Sequence, residues 1–334
     1  MKSFLVFIAS ILLVFSPLFA EAAKENNSDV VTIGISQLVS HPALDNIEKG
    51  IEDYLNEKGV DYKLDLQIAN GEISTAASIA QLFKSQGYDY VVGIATPTAQ
   101  ALANTITDGT PVIYATVTDP AAAGLEGLDY VCGTTDQAPI AKHLELIERV
   151  MNGNAKKIGM IYTSVEANGM SQMETMRAEC EKNGIELITQ SVNNSSEVRA
   201  ATEAIIDRVD AVYVAIDNTV ISAIASVAEV CMRNKTPLFT ADTTSAFGTD
   251  VLLSGGFDYY KAGLQTGRML YDVINGKKPS ELGMEYVDQQ EIYINLDVAK
   301  ALSIEIDQEL IDEAKYVIEN GVDIKQASET GNNE

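Results

Sequence analysis

The sequence predicts an α/β protein with two doubly wound parallel-sheet lobes that are joined by a three-segment hinge. Three observations predict this class. Short apolar runs rich in Val and Ile alternate with amphipathic segments of helical period, as expected for parallel sheets covered by helices. The whole alternation occurs twice along the chain. In three places a strand-like run leads from one series of elements into the other.

The duplication is visible in three pairs of strand-like runs. The sequence IGIS at 33–36 pairs with IGMI at 158–161, VGIATPT at 92–98 with VAIDNT at 214–219, and TPVIYAT at 110–116 with TPLFTAD at 236–242. The offsets are nearly constant, at 158 − 33 = 125, 219 − 98 = 121 and 236 − 110 = 126 residues. Two repeats of this size are too few and too long for a solenoid, so they indicate two lobes of one architecture.

The first lobe is predicted to have strands at 31–36, 62–68, 90–95 and 112–117, with helices at 42–58, at 73–85 and from the third strand to about 106. Pro97 suits a first helical position, because its missing N–H would be unbonded there anyway. Thr96 is then expected to be the N-cap. The amides of Thr98 and Ala99 would face an anion beyond the end of the central strand.

The second lobe is predicted to have strands at 158–162, 186–191, 211–216 and 237–240. The chain is expected to cross between the lobes at 131–134, again between the strand at 251–257 and the helix at 259–274, and a third time within 284–296. Residues 31–135 and 256–285 therefore form the N-terminal lobe, and residues 136–255 and 286–322 form the C-terminal lobe. Several crossings leave closure as the easy motion. The polar residues 323–334 are expected to form a flexible tail.

Residues 1–22 have the pattern of a secretory signal peptide. A Lys near the start is followed by a largely apolar run from Phe4 to Phe15 and by a small-residue cleavage site near Ala22. The run is too short for a membrane span, and no Cys lies near the site to carry a lipid. We therefore expect a soluble exported protein, most simply in the periplasm.

Charge and motifs exclude several classes of function. The formal net charge of −25 disfavours nucleic acid and anionic membrane surfaces as partners. Cys132, Cys180 and Cys231 show no CxxC or metal spacing, and we expect them to be buried thiols. The motifs HExxH, GxSxG and the P-loop are missing, and only His41 and His143 are neutral-pH bases. The sequence thus predicts neither catalysis nor a cofactor or metal.

Ligands of open α/β sheets bind beyond the carboxyl ends of the strands. This rule selects polar residues in both lobes: Ser36, Gln37, His41, Thr96, Thr98, Thr116 and Thr118 in the first, and Tyr162, Ser164, Glu166, Asn168, Asp217, Asn218, Asp242 and Thr243 in the second. Hydroxyls and helix amides dominate one wall, and acids and amides dominate the other. Such a cleft suits a zwitterion.

Some of these residues have structural alternatives. Asp217 or Asn218 could cap the helix that begins at Thr219, His41 could be a structural histidine at a helix start, and Tyr162 could belong to the core.

Seven motifs occur in one order between about residues 31 and 318: QLVSHPALD at 37–45, STAASIA at 74–80, ATPTAQ at 95–100, TVTDP at 116–120, SVEAN at 164–168, DNT at 217–219 and VAKAL at 298–302. Together they resemble the ABC-transporter substrate-binding family that includes tryptophan-type binding proteins. The resemblance implies a type I periplasmic binding protein fold and a monomer that delivers a small molecule to an ABC permease and its ATPase. It favours an aromatic amino acid as the ligand.

The resemblance also implies roles for individual residues. Thr96, Thr98 and Thr116 would bind the α-carboxylate, and Asp217 and Asp242 would neutralise the ammonium group. Glu166 and Asn168 would close from the other lobe. The sequence TSV at 163–165 departs from the expected start of that loop, which leaves the contact of Ser164 open. Without a Trp, ring stacking would fall to Tyr114, Tyr162 or Phe257.

Alternatives in other classes stay open on the sequence alone. The same fold accommodates nucleosides and sugars, and a sensory binding protein would have the same sequence features as a transport protein. An exported enzyme is the least favoured, since its base would have to be His41 or His143.

Overall fold

A computed structural model describes residues 30–287 and 290–331. The predicted signal peptide and its cleavage site lie outside the described residues. The strands are β1 (Val31–Gln37), β2 (Tyr62–Ile68), β3 (Tyr90–Ile94), β4 (Val112–Ala115), β5 (Val131–Thr135), β6 (Lys157–Thr163), β7 (Glu186–Val192), β8 (Ala211–Val214), β9 (Leu238–Thr240), β10 (Leu253–Phe257), β11 (Met284–Tyr286), β12 (Gln290–Asn295), β13 (Tyr316–Glu319) and β14 (Val322–Asp323).

Helices cover both sheets. They are α1 (Pro42–Glu57), α2 (Ile73–Gln86), α3 (Thr96–Thr105), α4 (Ile140–Val150), α5 (Ala167–Lys182), α6 (Val198–Ile205), α7 (Asn218–Ile221), α8 (Ile224–Arg233), α9 (Thr243–Ala246), α10 (Tyr259–Ile274), α11 (Pro279–Leu282), α12 (Leu296–Leu302), α13 (Gln308–Glu313) and α14 (Ile324–Gly331).

Two sheets form two lobes, as the duplicated pattern predicts. The first has the order β11-β5-β4-β3-β1-β2 and is parallel throughout. The second has the order β14-β13-β12-β10-β9-β8-β6-β7, in which the pairs β10/β12 and β13/β14 are antiparallel. The strands β4 and β8 are buried along their whole length, and β3 is buried except at Tyr90, which explains why their sequences are continuous apolar runs.

The chain crosses between the lobes three times. Residues 136–139 lead from β5 into α4, Asp258 separates β10 from α10, and the third passage runs from β11 to β12 through Val287, with residues 288 and 289 outside the described part. The run at 131–134 is therefore a full strand of the first sheet, and the crossing follows it. Because β10 continues to Phe257 in the second sheet, the predicted lobe boundary at 256 falls inside this strand.

Helix α10 returns the chain to the first lobe, where it packs closely on α1. A Cβ atom at Gly263 would lie 2.3 Å from the carbonyl oxygen of Ile47, and one at Gly50 would lie 2.4 Å from that of Tyr260. Only glycine permits this approach of two helix backbones. The contact fixes the start of α10, and with it Tyr259, near the cleft.

The structure corrects the prediction of a flexible tail at residues 323–334. Residues 322–323 pair with β13 as an antiparallel strand, and α14 follows as far as Gly331. The polar composition of this segment favoured a loose tail in the sequence-based prediction. Its structure depends on tertiary contacts with β13, and local propensity is a weak guide for such segments. Residues 332–334 lie outside the described part.

The three cysteine side chains are buried, as predicted, and all three are free thiols, which the sequence had left open.

Candidate functional site

An enclosed cavity lies between the lobes, where the strands of both sheets end. Thirteen residues line it: His41, Ala43, Leu44, Thr96, Thr116, Thr118, Asp136, Ile216, Asp217, Asn218, Ile221, Asp242 and Tyr259. The space between these atoms totals about 350 Å³, but its walls approach so closely that they leave room for about one water molecule. A larger ligand therefore enters only when the lobes or the lining side chains move apart.

Strained backbone marks the wall that the first lobe contributes. Ala95 has φ 77° and ψ 159°, in a region that is essentially restricted to glycine, and Thr116 has φ 51°. These residues follow the ends of β3 and β4. Ala95, not Thr96 as predicted, is the N-cap of α3, so the helix begins one residue earlier than expected. The turn brings Thr96 and Thr116 to the cavity together.

A buried carboxyl group occupies the hinge end of the cavity. Asp136 follows β5 and is 1% exposed. The hydroxyl of Thr118 donates to its Oδ1 at 2.9 Å, and the hydroxyl of Tyr259 donates to its Oδ2 at 3.2 Å. Burial raises the pKa of Asp136 to about 7, although these two donors oppose the shift. The contact with Tyr259 also links the first hinge segment to the start of α10, directly after the second hinge segment.

The second lobe contributes Asp217, whose carboxylate already has internal partners. The backbone N–H and the hydroxyl of Thr163 donate to it at 2.6 and 2.8 Å, and the N–H of Val220 donates at 3.1 Å. Burial, and then the nearby charge of Glu166, raise the pKa of Asp217 to about 7. Asp217 therefore caps α7. A capping role for Asp217 was the structural alternative that the sequence left open.

His41 and Asp242 lie on opposite walls. Asp242 caps α9 by accepting from the N–H of Thr244 at 2.9 Å, and burial raises its pKa while His41 opposes the shift. Burial lowers the pKa of His41, and Asp242 and Asp45 oppose that change. The Nε2 atom of His41 is buried without a protein partner. A ligand acceptor or donor at this atom would satisfy it.

Eight of the fifteen polar residues selected at the strand ends do not line the cavity: Ser36, Gln37, Thr98, Tyr162, Ser164, Glu166, Asn168 and Thr243. The Gln37 amide donates to Val39 and Asp45, the Thr98 hydroxyl donates to the carbonyls of Ile94 and Ala95, and the Asn168 amide donates to the carbonyl of Ile216. Tyr162 is partly buried against the core. Glu166 accepts from Asn218 at 2.7 Å and from the hydroxyl of Thr219 at 2.8 Å. These residues support the cavity walls but do not face the cavity.

Sequence reasoning missed Asp136 and Tyr259. Asp136 follows a strand of the first sheet directly, so the strand-end rule would have selected it if 131–134 had been read as a strand and not as a crossing. Tyr259 had no such signal, since its place depends on the close packing of α10. Two of the aromatic residues suggested for stacking, Tyr114 and Phe257, are core residues outside the cavity.

The described parts of the chain contain no cluster of three or more potential metal-ligating side chains. None of the helices in these parts is both long and apolar enough to cross a membrane.

Comparison with known proteins gives consistent matches. A family model described as ABC transporter substrate binding protein matches residues 32–318. A tyrosine-binding protein from Clostridioides difficile (strain R20291) is 36% identical over 294 residues, which cover 85% of this chain and 84% of the relative. The structure of an ABC domain in complex with L-Trp from Streptococcus pneumonia is 36% identical, covers 86% of this chain and 100% of that chain, and has a TM-score of 0.81.

A third relative superposes less well. The ligand-free, open structure of a substrate-binding protein with adhesive properties from Clostridium difficile is 32% identical over 87% of this chain and 99% of that chain, yet its TM-score is only 0.65. The L-Trp complex fits better at nearly the same identity. The structure therefore superposes better on the L-Trp complex than on the ligand-free, open structure.

These matches confirm the type I periplasmic binding protein fold and remove the alternative of an exported enzyme, because the family consists of solute-binding proteins. Members of this family work outside the cytoplasmic membrane. With a match over residues 32–318 and relatives that share its two-lobe fold, this chain belongs to the ABC transporter substrate-binding protein family.

Proposed function

We propose that this protein captures an aromatic amino acid between its lobes and delivers it to an ABC permease with its ATPase. One observation carries the proposal: the interlobe cavity places hydroxyls and a helix N-terminus on one side, buried acids near them, and apolar side chains between. The tyrosine-binding relative and the L-Trp complex support an aromatic side chain.

The carboxylate of the ligand would bind at the strained wall of the first lobe. Thr96 lies in the first turn of α3, and Thr116 and Thr118 follow β4. A helix N-terminus carries unpaired N–H groups and a partial positive charge, so it favours an anion. The strain at Ala95 and Thr116 supports this role, because strained backbone in a folded protein is concentrated at ligand sites.

The ammonium group would bind at the acids. Asp136 and Asp242 are the better candidates, because the carboxylate oxygens of Asp217 already accept three hydrogen bonds from Thr163 and Val220. No basic residue other than the half-buried His41 lines the cavity among the described residues. A ligand cation would therefore stabilise acids that are costly to bury when ionised.

The ring would lie among the apolar side chains. Leu44 comes from the first lobe, and Ile216 and Ile221 come from the second. Because the two lobes supply different contacts, the ligand favours the closed state by contacts that the open state lacks.

The remaining assignments follow the family and the N-terminal sequence. We propose export through a signal peptide cleaved near Ala22, release into the periplasm, action as a monomer, and docking of the closed form on the permease. A sensory role would use the same cavity with a membrane receptor in place of the permease.

A binding screen tests the proposal. Mature protein is unfolded, dialysed and refolded to remove carried ligand, and is then tested by thermal shift against the amino acids, nucleosides and common sugars. Ligand at about 100 times its dissociation constant should add about 2.7 kcal/mol to the free energy of unfolding. A shift with Tyr, Trp or Phe that is lost in Thr96→Ala and in Asp242→Asn is expected. A shift with nucleosides or sugars alone would overturn the amino-acid assignment and keep the transport fold.

A further inference from the structure

A second interlobe pocket lies at the edge of the cleft farthest from the hinge. We propose that this mouth pocket, defined by Asn70, Glu72, Ser195, Asn218, Thr219 and Ser222, binds a hydroxyl at the far end of the ligand side chain. It would thereby select a phenolic side chain over an unsubstituted ring. The inference rests on the proposed function, since it names the preferred member of the aromatic amino acids.

Sheet topology places the mouth pocket. Asn70 and Glu72 follow β2, and Ser195 follows β7; these are the edge strands opposite the hinge in the two sheets. Asp136 follows β5, at the hinge edge. From β3, which ends at the carboxylate wall, β2 is two strands away, a distance of about 10 Å at the usual strand spacing. A ligand whose charged end lies near Thr96 and Asp136 therefore points its side chain toward the mouth pocket.

Asn218 connects the two pockets. It lines both the central cavity and the mouth pocket, and it is 8% exposed. Its Nδ2 donates to Oε2 of Glu166 at 2.7 Å. Thr219 donates to the other carboxylate oxygen of Glu166 through its N–H at 3.2 Å and its hydroxyl at 2.8 Å. The buried Glu166 thus holds both residues, and it is a positioning residue, not a ligand contact.

The chemistry of the mouth pocket suits a phenol. Serine hydroxyls and asparagine amides both donate and accept hydrogen bonds, and Glu72 accepts them. The Ser222 hydroxyl already donates to the carbonyl of Thr219 at 2.8 Å and the Asn218 amide donates to Glu166, so these two residues offer acceptor oxygens to a phenolic O–H. A phenolic hydroxyl also donates and accepts, so it can pair with either kind of group. A ring without the hydroxyl leaves these polar groups facing carbon, and a site built for a hydroxyl discriminates against a ligand that lacks it. Because the rim of the mouth pocket is exposed, water can form some of the hydrogen bonds that a ring without the hydroxyl leaves unmade. The preference for the phenolic ligand is therefore modest.

Affinities for L-Tyr and L-Phe, measured by isothermal titration calorimetry on refolded protein, test the inference. The wild-type protein should bind L-Tyr about tenfold more tightly than L-Phe. The double variant Ser195→Ala with Ser222→Ala should reduce that ratio to near one by weakening L-Tyr alone. The matched control is the double variant Ser78→Ala with Ser85→Ala: these exposed hydroxyls of α2 donate to the carbonyls of Ser74 and Leu82 and lie outside the mouth pocket, so the ratio should stay at its wild-type value.

The role of Glu166 is tested by the same ratio. Glu166→Ala should lower the ratio of the two affinities, and Glu166→Gln, which keeps one acceptor oxygen, should restore part of it. A purely structural effect would lower both affinities equally and would overturn the positioning role. Equal wild-type affinities for L-Tyr and L-Phe would overturn the mouth-pocket inference alone. Failure to bind any aromatic amino acid would overturn the proposed function and this inference with it.

Discussion

Asp136 is the side chain of the cavity with the clearest pH dependence. Burial raises its pKa to about 7, and the charge of Asp242 adds to this shift. Because the folded pKa lies above the usual value near 3.9, its contribution to stability is full below about pH 4 and is lost as the pH rises through about 7. A ligand ammonium group has the opposite effect, since it favours the ionised carboxylate.

We therefore predict that the proposed amino acid binds about tenfold more weakly at about pH 5.5 than at about pH 7.5, because binding must release a proton from the acids of the cavity. Calorimetry in buffers of different ionisation enthalpy measures both the affinity and the protons released. Asp136→Asn should weaken binding and reduce the pH dependence. Part of the pH dependence should remain in this variant, because the pKa of Asp217 is also about 7. An affinity independent of pH would place the ammonium group away from these acids.

At the scale of elements, the alternation of strands and helices along the chain follows from local signals in both lobes. Runs such as β3 and β8 are apolar throughout, and the helices between the strands have amphipathic periods. The alternation of strands and helices can therefore be predicted from the sequence. The short strand β11 lacks such a signal, because its order depends on pairing with β5, which lies far back along the chain. The strands β13 and β14 are four and two residues long and form a local hairpin, so they are too short to show a period.

The candidate site also combines residues that the sequence predicts with residues that it does not. Residues that directly follow a strand, such as Thr96, Thr116 and Asp242, could be predicted to line the cavity. The side chains of Thr98 and Asn168 also follow strands, but they turn toward backbone carbonyls. Rotamer and hydrogen-bond choice is set by the packed neighbours, which strand spacing does not reveal.

The turn into α3 provides a prediction for an element. Ala95→Gly should raise the free energy of unfolding by about 1 kcal/mol, because glycine relieves a strained φ that costs more than its extra entropy. Chemical denaturation without ligand measures this change. Ala101→Gly is the matched control, since it makes the same substitution inside the same helix and should lower stability by about 0.5–1 kcal/mol. If both variants are destabilised alike, the turn at Ala95 is not strained.

At the scale of the whole molecule, function depends on how the lobes hold together once they have closed. Ser171 in the first turns of α5 donates its hydroxyl to Oδ2 of Asp119 in the first lobe, at 2.5 Å. The other oxygen of Asp119 accepts from the N–H of Ala122 at 2.9 Å, so a local turn holds the carboxylate in place. This contact forms a latch between the lobes at a distance from the lining of the cavity.

Removing the latch should change the lifetime of the closed state more than its structure. Ser171→Ala should speed ligand dissociation about three- to tenfold, because a charge-assisted hydrogen bond present in the closed form is lost. Compaction at saturating ligand, measured by small-angle scattering, should remain. Thr175→Ala is the control: this hydroxyl lies one turn along the same helix and donates to the carbonyl of Ser171, so its removal leaves the contact between the lobes intact. Stopped-flow dissociation rates that are equal in the two variants would show that the latch contributes nothing to retention, and closure would then depend on the ligand's own contacts with the two walls.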